Sequence, residues 1–232
     1  MKGFLKSSIG KKFVMGTSGL FLFLFLMIHL LLNSFLLISD NGKMFNTGAH
    51  FMATNPFVKI IEPLLAIGFI VHIFMGIILT IQNRKARGNE RYAVVSKSKN
   101  VLWASKNMFI LGVMIFAFLL LHLYHFWLKM KFTGSELLNY ITIDIGGVPT
   151  QVENVYALIN LTFSNFWIVI IYITASLALG LHLSHGIWSG FQTIGLSNTI
   201  WQKIIKKISI IFAIIVGIGF STIAAAQYLF FQ

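Results

Sequence analysis

The chain has 232 residues, of which 57% are hydrophobic and only 10% charged, and Phe alone occurs 23 times. A soluble domain of this length needs far more polar surface, so the composition points to an integral membrane protein. There is no Cys, which excludes disulfides, thiolate metal sites, cysteine-ligated iron–sulfur clusters and covalent c-type haem attachment. The net charge of +12 gathers at the ends of apolar stretches. That pattern indicates a membrane surface or an extramembrane subunit as partner, and no nucleic acid.

A span needs about 20 apolar residues at about 1.5 Å each, and five stretches qualify. They cover about 13–39, 58–82, 108–128, 161–188 and 208–230. The first follows lysines, as a signal peptide would, but it is too long for a signal core and lacks a small-residue cleavage pattern. It is read as a retained span. The expected fold is an all-α, five-helix transmembrane bundle forming a single domain over 1–232.

Fourteen of the 18 Lys and Arg residues fall on one side: Lys2, Lys6, Lys11 and Lys12; Arg84, Lys85, Arg87, Arg91, Lys97, Lys99 and Lys106; and Lys203, Lys206 and Lys207. The positive-inside rule then puts the N-terminus in the cytoplasm and the C-terminus outside. Outside the membrane, "KFTGSELLNYITIDIGGVPTQVEN" reads as a small structured lid, with Gly-Gly and Pro as turn signals.

The chain has seven histidines, and all but His50 lie in expected spans. Polar groups in lipid are costly and usually face the bundle interior. One such His is explained by a hydrogen bond to a neighbouring helix; six over four spans are not. Counting inward from the basic boundaries at about 1.5 Å per residue puts His29 roughly 25 Å deep and His122 roughly 24 Å deep. His72 and His182 fall at roughly 18 and 15 Å on the same count. Two level pairs on four helices suggest two stacked sites. Bis-imidazole coordination of haem is the chemistry that fits, with Arg84, Lys85 and Ser18 as candidates for the propionates at the inner end. In "LHLYH" and "LHLSH" the first His is therefore the better ligand. The second, His125 or His185, lies one turn on near the same face. The in-span glycines Gly16, Gly19, Gly68, Gly76, Gly112, Gly180 and Gly186 would admit a flat macrocycle, or serve close helix packing. No catalytic dyad or nucleophile is apparent.

The spans, with "GTSGLFLFLFLMIHLLLNSF", "IEPLLAIGFIVHIFMG", "LHLYHFW" and "LHLSHGIWSGFQTIG" as their most specific pieces, resemble one family over the whole chain. It is the single-chain di-haem cytochrome b anchor of bacterial succinate:menaquinone oxidoreductases and fumarate reductases (respiratory complex II). The resemblance implies a transmembrane cytochrome b domain in the bacterial cytoplasmic (inner) membrane. Carried over by position, the haem b ligands are His29 and His122 for the outer haem, and His72 and His182 for the inner. It further implies a flavoprotein subunit and an iron–sulfur subunit on the cytoplasmic side, with menaquinone exchanging electrons near the outer haem. Some fumarate reductase members carry a glutamate two residues before the fourth ligand, implicated in proton transfer. Here that position is Gly180, so no proton path through it is expected.

For the quinone, Glu62 and His50 on the outer side are the candidates; both also suit ordinary solvated positions. Three other readings compete. A cytochrome b of a hydrogenase or formate dehydrogenase would share the histidines but bind another input subunit. A histidine-cluster desaturase would gather them at the membrane surface. A transporter using His as a proton relay would bind no haem.

Overall fold

The computed structural model describes residues 3, 7–87, 103–133, 138–196 and 198–231. Lys2, Lys6, Arg91, Lys97 and Lys99 of the basic side lie outside the described residues.

Among the described residues, five helices are long and apolar enough to cross a membrane, and they form an all-α bundle; the protein is a multi-pass membrane protein. In chain order, α1 is Ser8–Ser34, with a 3-10 turn over Phe35–Leu37, and α2 is Lys43–Thr54. Then come α3 (Pro56–Arg87), the short α4 (Trp103–Lys106) and α5 (Met108–His122), which continues as a π-helix over Leu123–Thr133. A hairpin of β1 (Tyr140–Ile145) and β2 (Val148–Glu153) precedes α6 (Val155–Phe163), α7 (Phe166–Thr193) and α8 (Thr199–Phe230).

Asparagine caps set several helix starts. Asn55 Oδ1 accepts from Phe57 N (2.9 Å), with Pro56 opening α3. Asn165 Oδ1 accepts from Trp167 N (2.9 Å), and Asn198 Oδ1 from Trp201 N (2.8 Å). Each side-chain oxygen satisfies a backbone N–H that the helix leaves without a partner. These caps correct the expected spans. The fourth does not run from Leu161: the chain breaks at Ser164–Asn165 and α7 starts at Phe166. The fifth starts at Thr199, not Ile208.

Four helices form a ring in which α1 packs on α3, α3 on α5, α5 on α7 and α7 on α1. The diagonals α1/α5 and α3/α7 make at most slight contact. Outside the ring, α8 lies along α7 and also touches α1. The α7–α8 approach is close because Gly180 faces Gly217. A Cβ on Gly180 would sit 2.8 Å from Ala213 O and 3.3 Å from Gly217 Cα. This is small-residue packing.

One end of the bundle is sealed by α2, the hairpin and α6. The hairpin turns through Gly146 (φ 65°) and Gly147 (φ 87°); positive φ at both central residues is the type I′ turn that matches strand twist. The expected lid is thus a two-stranded sheet, with residues 134–137 outside the described part. Beneath it, Leu36, Phe45, Val155, Leu158, Phe163 and Ile223 form the largest buried cluster. Asn46, fully buried, bonds Asn154 Oδ1 (3.1 Å) and Tyr156 N (2.9 Å), stitching α2 to α6. Fully buried Gln227 donates from Nε2 to Leu36 O (2.9 Å), joining α8 to the end of the first span. Gln227→Ala strands that carbonyl in an apolar setting. It is expected to cost about 1–3 kcal/mol, read as a lower unfolding temperature in detergent; an unchanged temperature contradicts this account.

Candidate functional site

The ring geometry brings the in-span histidines together in two pairs. His29 of α1 meets His122 of α5 with ring centres 5.8 Å apart and planes at 88°. His72 of α3 meets His182 of α7 at 6.3 Å and 72°. These are the pairs expected from depth. Each lies across a diagonal, between helices that otherwise barely touch.

The two levels are further apart than loop counting suggests. His72 lies against Gly19 of α1, where a Cβ would stand 3.1 Å from its Cε1. Gly19 is ten residues before His29, so the levels differ by about 15 Å along α1. A Cβ on Gly112 of α5 would stand 3.9 Å from His182 Cε1, and Gly112 is again ten residues before His122. About 15 Å is half of a hydrocarbon core of about 30 Å.

The levels differ in character. The His29–His122 pair sits in aromatic rings: His29 stacks on Phe25 (5.2 Å) and faces Phe220 (5.7 Å), while His122 meets Phe118 (5.8 Å), Phe126 (5.3 Å) and Tyr172 (6.1 Å). The inner pair has a polar neighbour, Ser18, whose Oγ is 3.4 Å from His72 Nδ1. It also has room. Gly76 and Gly186 stand four residues after His72 and His182, on the same helix faces. Around Gly186 no other atom lies within 4 Å of a Cβ position; at Gly76 only Met15 Cε comes that close, at 3.8 Å. Of the other glycines, Gly16 takes the backbone of α7 at Gly190, and Gly68 lies under Phe21.

His122 Nδ1 and His182 Nδ1 are buried with no hydrogen-bond partner. A buried ring nitrogen left unpaired is costly, and here each level carries one. Among the described residues, no group of three or more His, Asp or Glu gathers as metal ligands.

No protein-family model, curated protein or solved structure matches the chain. The arrangement of the residues therefore carries the functional argument.

The second His of each motif leaves the pair. His125, 8% exposed, shares a hydrogen bond from Nδ1 to Tyr172 Oη (3.1 Å) and stacks on the same ring (5.9 Å, 11°). His185 stands edge-on to Trp188 (5.6 Å), over which Lys206 Nζ sits at 4.4 Å.

The outer-side candidates Glu62 and His50 are not brought together. Glu62 Oε1 accepts from Trp127 Nε1 (3.2 Å) and Oε2 from Lys131 Nζ (3.1 Å), tying α3 to the π-helix. His50 lies on α2, and no hydrogen bond or ring contact joins it to Glu62 among the described residues. At the inner end Arg84 lies over the Phe109 ring (5.3 Å), and Lys85 is exposed. The Tyr172 contacts were not foreseen. Nothing in the sequence marks that tyrosine, which stands ten residues before His182.

Proposed function

We propose that the chain is the membrane-anchor and electron-transfer subunit of a succinate:quinone oxidoreductase or fumarate reductase in a bacterial cytoplasmic membrane. It carries two b haems between an iron–sulfur subunit and menaquinone, with the N-terminus cytoplasmic and the flavoprotein and iron–sulfur subunits docked on that side. The observation that carries this reading is the pairing of four histidines across the two diagonals of one helix ring.

The residues fit the group. Two imidazole nitrogens sharing one metal at about 2 Å each would put their ring centres about 6 Å apart. The observed separations are 5.8 and 6.3 Å. Among the described residues each level offers two imidazoles and no third His, Asp or Glu, which suits a ligand that brings further donors of its own. The open space at Gly76 and Gly186 gives the inner level room beside its donors. The buried Nδ1 atoms of His122 and His182, which have no hydrogen-bond partner, support a bound group at each level.

Haem supplies a one-electron couple at each level, and the chain's own residues do the rest. His29 and His122 hold the outer group within Phe25, Phe118, Phe126 and Phe220. That aromatic wall excludes water and lowers the local dielectric, which are levers on potential. His72 and His182 hold the inner group, with Ser18 beside His72 to orient its ring. The two levels, about 15 Å apart along the bundle, would link succinate oxidation on the cytoplasmic side to quinone reduction near the outer one.

The test is a reduced-minus-oxidised spectrum of the purified complex, with haem quantified per polypeptide. Two b-type haems per chain, reduced by added succinate, are expected. Absence of a haem band in a fully loaded preparation overturns the proposal. Haem that succinate leaves oxidised while hydrogen or formate reduces it moves the subunit to another complex.

A further inference from the structure

We infer that the outer part of the bundle holds a binding site for a flat, lipid-soluble quinone ring, with His125 as its hydrogen-bonding residue and Tyr172 as the residue that positions His125. The inference rests on the quinone-linked reading above and names its site. Glu62 and His50 take no part in it.

A cavity of about 310 Å³ opens between the π-helix, the end of α6 and the start of α7. Its volume is at the lower end of the usual range for small-ligand pockets, about 300–1,000 Å³, and suits a bicyclic ring. Leu161 and Ile168 give it apolar walls, Tyr124 an aromatic one, and Lys129 stands at its rim. Tyr124 and Leu161 are more than half exposed on the outer surface of the bundle, so the cavity is reached from the lipid side. The hydroxyls of Thr162 and Ser164 donate to their own helix, at Leu158 O and Leu161 O (both 2.8 Å), and Asn165 Oδ1 caps α7. His125 is the polar group with chemistry to spare. Its Nδ1 is engaged by Tyr172, leaving Nε2 for a ligand.

Tyr172 is well placed to set the proton on that nitrogen. When its hydroxyl donates to Nδ1, Nε2 carries the hydrogen and donates to a quinone carbonyl. When it accepts from Nδ1, Nε2 accepts from a quinol hydroxyl. One buried pair thus serves both oxidation states. The same Tyr172 ring contacts His122 (6.1 Å), so a ring bound at His125 sits one side chain from the outer pair. The backbone also departs from α-helix here: the π-helix begins one residue after His122 and contains His125. Such widened turns are rare and cluster at functional sites.

The test uses the full chain in phosphatidylcholine nanodiscs, with 2,3-dimethyl-1,4-naphthoquinone as probe in equilibrium dialysis and haem measured in the same samples. His125→Ala and Tyr172→Phe are each expected to weaken probe binding at least tenfold with haem content retained. Tyr172→Phe keeps the ring contacts to Phe118 (4.8 Å) and Phe163 (4.9 Å), so it decides the matter if His125→Ala does not fold. Because Tyr172 acts through His125, the double variant should bind no worse than His125→Ala alone. Unchanged binding in both single variants overturns the inference. So does a loss confined to Glu62→Gln, or a cavity filled by phospholipid that the probe does not displace. A haem-free chain with His125-dependent probe binding would keep this site and remove the electron-transfer reading. A haem-loaded chain indifferent to both substitutions would remove this site alone.

Discussion

Replacing His122 with alanine is expected to take the haem content from two per chain to about one, and replacing His182 to do the same at the other level. Each diagonal is bridged by two imidazoles and little else, so on the proposed reading removing one would leave the group with a single protein donor. The decisive feature is the phenotype shared within a pair. His29→Ala and His122→Ala must remove the same spectral component, and His72→Ala and His182→Ala the other. The two residual spectra should differ, because the outer level is walled by phenylalanines and the inner has Ser18 at hand. His125→Ala should retain both haems. If His29→Ala and His72→Ala removed the same component, the diagonal assignment would fail.

The glycines give a second large effect, split by position. Gly180→Leu drives its Cβ to within 2.8 Å of a backbone carbonyl on α8, and backbone cannot swing aside as a side chain can. The α7–α8 contact must open, at a cost of about 3 kcal/mol or more. Loss of the monodisperse peak in detergent, or a marked fall in unfolding temperature, is the expected reading. Gly186→Leu has no atom within 4 Å of its Cβ to strike. It should leave the haem-free chain as stable as before, yet halve the haem content by filling space beside His182. Retention of both haems in Gly186→Leu would show that the space is not the macrocycle's.

Much of this was legible in the sequence for physical reasons. Five long apolar runs leave few alternatives to five spans, since backbone polar groups in lipid must be satisfied within each segment. The pairing of histidines followed from helical rise alone, because depth in a span is nearly linear in residue number. The helix starts were less legible: hydropathy averages over many residues and blurs a cap formed by one. Asn165 and Asn198 were visible, and a scan for N-caps would have placed α7 and α8. The hairpin was readable only as far as its Gly-Gly turn. Tyr172 and the π-helix were not legible, because both depend on how α5 meets α7. Glu62 was singled out for its charge, yet both its oxygens are taken by neighbours that only the fold supplies.

The diagonal placement of the pairs bears on the order in which the protein is built. Helices enter the bilayer as the chain is synthesised, so α1 and α3 arrive before α5, and α7 comes later. His29 gains His122 once the third span is in place. His72 waits for the fourth, because its partner is on α7. Meanwhile α3 has no residue of its most apolar stretch buried even in the finished bundle, and its main neighbour is α1. So α3 can pack on α1 early, while its contact across the ring waits for α7. Assembly in this order completes the His29–His122 level before the His72–His182 level.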